Sequence, residues 1–129
     1  WTLDFRPDFT ALESGLDAFI NWDKNFVGKE VALNEKKQGP NKKLVTMTVD
    51  TKNIDVTNDE AILKDNKCVG YVTSGGYAHH VKKSMALGYV PLEFSKHETI
   101  LDIEINGIFY KAHVTDRPLY DANGGKMKS

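Results

Sequence analysis

The dipeptide Asn106-Gly107 stands between two apolar-rich runs, residues 100–105 and 109–114. A two-residue hairpin turn needs positive φ at both central positions, which Asn and Gly tolerate, so the pair predicts a tight β-hairpin. Along the incoming run, Leu101, Ile103 and Ile105 alternate with Asp102 and Glu104. That period of two turns three apolar side chains one way and two carboxylates the other. The pattern marks an antiparallel sheet with one wet face.

Four more runs share this texture: residues 43–49, 61–64, 68–73 and 85–90. Asp65-Asn66 predicts a second hairpin between 61–64 and 68–73, and Pro91 closes the run that ends at Val90. Six short strands at this spacing predict a mainly β domain, a small antiparallel barrel or sandwich. The first forty residues read differently. Leu12, Leu16, Phe19 and Ile20 recur at helical spacing and predict an amphipathic helix over 11–20, with Gly15 working against it. A second helical run covers 29–38 and is stopped by Gly39-Pro40. The tail 121–129, with Gly124-Gly125, is expected to be loose.

Composition narrows the function classes. The 129 residues are 40% hydrophobic and 27% charged, which fits one globular domain with a connector. Seventeen Lys plus Arg oppose eighteen Asp plus Glu, a net charge of −1, so the basic footprint of a nucleic-acid module is missing. Only Arg6 and Arg117 supply guanidinium groups. Nothing nears 18 consecutive apolar residues, and WTLDFRPDF lacks a basic and an apolar leader region, so no membrane partner is expected. Cys68 is the single cysteine and fits a reducing compartment. Trp1, where Met would be usual, is expected to mark a cut in a longer chain.

Chemistry is sparse by spacing alone. His79 and His80 are adjacent and would point apart on a strand, with His97 and His113 far off, so no metal site is expected. Gly70 and Gly75 have phosphate-loop spacing, but Gly76-Tyr77 stands where Lys-Ser/Thr is required. Ser74 lacks a nucleophile-elbow context and reads as part of a polar strand-end turn. The carboxylates are scattered, and no catalytic residue is assigned.

Two longer segments are more specific. Phe26-Val27-Gly28-Lys29-Glu30-Val31-Ala32-Leu33 followed by Lys42-Lys43-Leu44-Val45 resembles the connector of the glycine-cleavage T-protein (aminomethyltransferase) family. Val69-Gly70-Tyr71-Val72-Thr73-Ser74-Gly75-Gly76-Tyr77, continuing through Lys83-Ser84-Met85-Ala86-Leu87-Gly88-Tyr89-Val90, resembles that family's C-terminal barrel. Leu12-Glu13-Ser14-Gly15-Leu16, Asp23-Lys24 and Pro118-Leu119-Tyr120-Asp121 match further family blocks in order. Thr73-Ser74-Gly75-Gly76-Tyr77-Ala78-His79 is more similar to the dimethylglycine and sarcosine dehydrogenases than to the free-standing T-protein.

The resemblance implies a small six-stranded antiparallel barrel, Greek-key-like, over residues 41–129. Residues 1–40 would form the helical connector from a folate-binding domain. It implies folate-linked one-carbon transfer by a parent enzyme, tetrahydrofolate as cosubstrate and an upstream folate-binding domain as partner. FAD would belong to a domain further upstream, and this chain alone is expected to be inactive. Candidate folate-binding residues are Thr73 and Ser74, Tyr77 and Tyr120 for stacking a flat ring, and Arg117 or Lys126 for a carboxylate. The end of a glycine-cleavage T-protein or a related demethylase is an alternative, and so is a barrel that docks a partner without chemistry. The implied location is a bacterial cytoplasm, with the mitochondrial matrix as the alternative.

Overall fold

The computed structural model describes residues 2–126 and residue 128. Trp1, with its expected cut, and Met127 and Ser129 of the tail lie outside the described residues. Helix α1 spans Lys29–Gln38, and six strands follow: β1 Lys42–Val49, β2 Ala61–Lys64, β3 Lys67–Ala78, β4 Lys83–Pro91, β5 Ile100–Ile105 and β6 Ile108–Thr115. They close an antiparallel barrel in the order β1-β4-β3-β2-β5-β6. With β2, β3 and β4 joined by hairpins and β1 returning beside β4, the connectivity is that of a Greek key.

Alternation builds the core. Val45, Met47 and Val49 of β1 point inward, as do Leu101, Ile103 and Ile105 of β5, and meet Ile62, Val72 and Val90. Asp102 and Glu104 take the other face, as their spacing predicts, and Asp102 pairs with Lys111 of β6 at 2.6 Å. Asn106 and Gly107 adopt φ of 51° and 79°, the conformation that the hairpin requires. Strands β3 and β4 approach so closely that a Cβ on Gly70 would stand 1.9 Å from the Tyr89 carbonyl oxygen.

Two local expectations are corrected. The stretch after Thr73, read through Ser74 as a polar strand-end turn, is strand: β3 continues to Ala78, with Tyr77 opposite Ser84. The missing Cβ of Gly75 makes this possible, since it would meet the Val56 carbonyl oxygen at 2.6 Å where the β1–β2 connection crosses the strand. The helix expected over 11–20 is one turn, followed by a 3-10 turn at Asp17–Phe19. Thr10 and Glu13 cap that first turn reciprocally, each side chain accepting the other's backbone N–H at 3.1 Å. Gly15, at φ 72°, then ends it, as Leu16 N–H donates to Ala11 O at 2.8 Å and Gly15 N–H to Leu12 O at 3.1 Å.

The outer face of β1 and β4 is only partly wet. Leu44 N–H donates to Glu13 O at 2.8 Å, so the lead-in continues the sheet past β1. Phe9 stacks on Tyr89 with 3.7 Å between ring centroids. The Tyr89 hydroxyl donates to Asp4 O at 2.8 Å and sits 2.8 Å from Ser14 Oγ.

Candidate functional site

Strand β6 pairs with β1 only from Thr46 to Val49, and ahead of that stretch Leu44 N–H is met by Glu13 O of the lead-in. Beyond Thr115 the chain swings away, and residues 116–120 stand off the barrel as a wall. Between this wall, the outer face of β1 and β4, and the β3–β4 turn lies a cavity of about 700 Å3. Leu44, Met85 and Leu87 give it an apolar floor; Lys43, His79, His80 and Arg117 bring nitrogen to its rim. Asp116 is the one carboxylate among the lining residues, and His97 Nδ1 lies 3.5 Å from it.

The wall is held at both ends. At its base His97 Nδ1 lies 3.5 Å from the Asp116 carboxylate. At its tip the Tyr120 ring meets His80 edge-on, with centroids 4.7 Å apart. Lys126 Nζ lies 4.9 Å from the Tyr120 centroid and donates to the Tyr120 hydroxyl at 2.7 Å. The Asp121 carboxylate accepts from Gly125 and Lys126 N–H at 2.8 and 3.0 Å, which ties up the described part of the tail. Arg117 is exposed and forms no ion pair with a described residue.

The six candidate residues fall into three places, with Lys126 joined to Tyr120 by the hydrogen bond above. Arg117 and Tyr120 share the cavity. Tyr77 lines a neighbouring hollow with Ser84, and its ring meets His79 edge-on at 5.0 Å, so His79 connects the two. Thr73 and Ser74 point elsewhere: both hydroxyls donate to Asp4 Oδ1, at 2.5 and 2.8 Å. A β-bulge between Val72 and Ser74 is the reason, because the extra residue lets two successive side chains reach the same acceptor. Spacing missed Lys43 and His80 as partners of Tyr120 and Arg117, since the β3–β4 turn and the exit from β6 meet only in three dimensions. Among the described residues no group of three or more His, Cys, Asp or Glu is placed to hold a metal ion.

Residues 42–121 match the model of the glycine cleavage T-protein C-terminal barrel domain. The chain belongs to this family. Human mitochondrial dimethylglycine dehydrogenase is 34% identical over 121 residues, covering 92% of this chain and 14% of that protein. An aminomethyltransferase from a Picosynechococcus strain is 35% identical over 122 residues, covering 93% of this chain and 33% of that one. The crystal structure of the glycine cleavage system aminomethyltransferase T from Bartonella henselae superposes with a TM-score of 0.79. At 22% identity that likeness speaks for the fold; it covers 92% of this chain and 34% of the other. This family member therefore spans about a third or less of the proteins that it resembles.

Proposed function

We propose that these residues are the C-terminal barrel of a folate-linked one-carbon enzyme similar to the dimethylglycine and sarcosine dehydrogenases. In this reading the barrel closes a tetrahydrofolate site whose larger part lies in a preceding folate-binding domain, with residues 1–40 as the connector. The cavity behind residues 116–120 carries the reading, because it gathers Arg117 and Tyr120 over an apolar floor. Its volume of about 700 Å3 falls in the range of roughly 300–1,000 Å3 typical of small-molecule sites. The side chains fit one end of a flat, carboxylate-bearing ligand. Arg117 offers a guanidinium fork to a carboxylate, and Tyr120, braced by His80 and Lys126, offers a fixed aromatic wall. Bound tetrahydrofolate supplies the amine that accepts the one-carbon unit. Tyr77 extends the wall through His79, while Thr73 and Ser74 act through Asp4 by fixing the lead-in on the barrel.

FAD belongs to a further preceding domain in this proposal, since the chain contains no G-x-G-x-x-G pattern to cradle a dinucleotide. The near-equal identity to an aminomethyltransferase favours a second reading, the end of a T-protein without that oxidising domain. Such a glycine pattern in the preceding sequence selects the first reading, and its absence selects the second. The proposed compartment is a bacterial cytoplasm, with the mitochondrial matrix as the alternative.

Calorimetric titration of tetrahydrofolate into the polypeptide joining this barrel to its preceding domain tests the site. Arg117→Ala is expected to weaken binding about tenfold, in line with a charged hydrogen bond worth about 1.5 kcal/mol. Unchanged affinity in both Arg117→Ala and Tyr120→Ala would remove this cavity from the folate site.

A further inference from the structure

Helix α1 has no buried residue, although it carries Val31, Ala32 and Leu33. Its polar side chains make the attachments to the rest of the chain. Lys36 Nζ reaches both Asp17 carboxylate oxygens, at 3.0 and 3.1 Å, and sits over the Trp22 ring, whose indole N–H donates to Asp17 at 3.0 Å. Glu35 accepts from the Thr10 hydroxyl at 2.5 Å. Of the helix's apolar side chains Val31 is 73% exposed, and just ahead of the helix Val27 is 103% and Phe26 39% exposed. Together with Leu12 and Ile20 they line a groove of about 550 Å3 between α1 and the first turn of the lead-in. A soluble helix ordinarily turns its apolar side toward its own core. Here Ala32 and Leu33 are half-buried, while Val31 and the preceding Phe26-Val27 stay uncovered, and contiguous exposed apolar surface marks an interaction site.

We infer that this groove is an interdomain interface, covered by the domain that precedes these residues in the longer polypeptide. The inference rests on the proposed function only in taking such a domain to exist. The groove is built from residues 10–35, all of them before the barrel match at 42–121. The Bartonella structure matches 92% of this chain, more than the barrel alone, and two thirds of that protein lies outside the match. The groove offers that remainder an uncovered apolar surface around Phe26, Val27 and Val31.

Hydrogen exchange of the amides of residues 29–36 tests this, measured without folate in the present chain and in the longer polypeptide. At least tenfold slower exchange is expected in the longer form. Val27→Asp with Val31→Asp should abolish that difference there, yet shift the melting midpoint of the present chain by no more than about 1 °C, as exposed substitutions do. Equal exchange in the two contexts would overturn the inference. So would concentration-dependent association of the present chain that the double substitution removes, because a second copy would then be the occupant. Tetrahydrofolate titration of the longer polypeptide separates the two readings. Protection without binding defeats the proposed function alone, and binding without protection defeats the interface alone.

Discussion

Tyr89 shows how one side chain can join two parts of the molecule. Its ring stacks on Phe9 and its hydroxyl reaches Ser14 and Asp4, three lead-in residues met from near the end of β4. Burial pushes the phenol above its ordinary value, and the Ser14 hydrogen bond opposes this only in part. Because the folded state holds the proton more tightly than the unfolded one, this contribution to stability is complete below about pH 10. It is lost as pH rises through the folded-state value. Tyr89→Phe is therefore expected to flatten the alkaline limb of the stability profile and to cost about 1–2 kcal/mol at pH 7, read by urea denaturation. Gly70 is more demanding. A methyl group there would stand 1.9 Å from the Tyr89 carbonyl, so Gly70→Ala should cost about 3 kcal/mol or more, or yield no folded protein. Both residues appear in the quoted family block, but neither contact is visible in it, because Gly70's depends on the register between β3 and β4 and Tyr89's on the docking of the lead-in.

At the scale of elements, legibility follows the range of the deciding forces. The β5–β6 hairpin was readable because two adjacent backbone conformations and a period of two settle it locally. Gly107→Ala should cost about 1–2 kcal/mol by forcing a Cβ into φ 79°, checked by the shift in the urea midpoint. Helix α1 was equally plain, bounded by Gly28 and by Gly39-Pro40. The helix expected over 11–20 failed because Gly15 takes the left-handed conformation and closes the turn after four residues, a stronger local term than apolar spacing. The stretch after Thr73 was misread for the opposite reason. Gly75 and Gly76 resemble a turn, yet here glycine makes room for the crossing Val56 backbone and keeps the strand going. Glycine between β-rich runs is ambiguous until its neighbours in space are known.

For the molecule as a whole, the lead-in is part of the barrel's stability. Glu13 continues the β1 edge, Ser14 and Asp4 hold Tyr89, and the Asp4 carboxylate takes the Thr73 and Ser74 hydroxyls. Removing residues 1–40 should lower unfolding stability by about 5–7 kcal/mol, from these five hydrogen bonds at about 1 kcal/mol each and the Phe9–Tyr89 stack. Calorimetric melting of a 41–129 fragment checks this; an unchanged midpoint would reduce the lead-in to a passive tether. By itself the sequence determined the strands, two hairpins, the helix, the wet face of β5 and the family resemblance. Those rest on neighbours in the chain, on side-chain periodicity and on ordered motifs. Tertiary structure alone decided that Arg117 and Tyr120 share a cavity while Thr73 and Ser74 face Asp4. It also decided that Phe26, Val27 and Val31 stay uncovered at the start of α1. The physical reason is that barrel closure and the docking of the lead-in set such neighbourhoods, bringing together residues as much as 85 positions apart that no local pattern records.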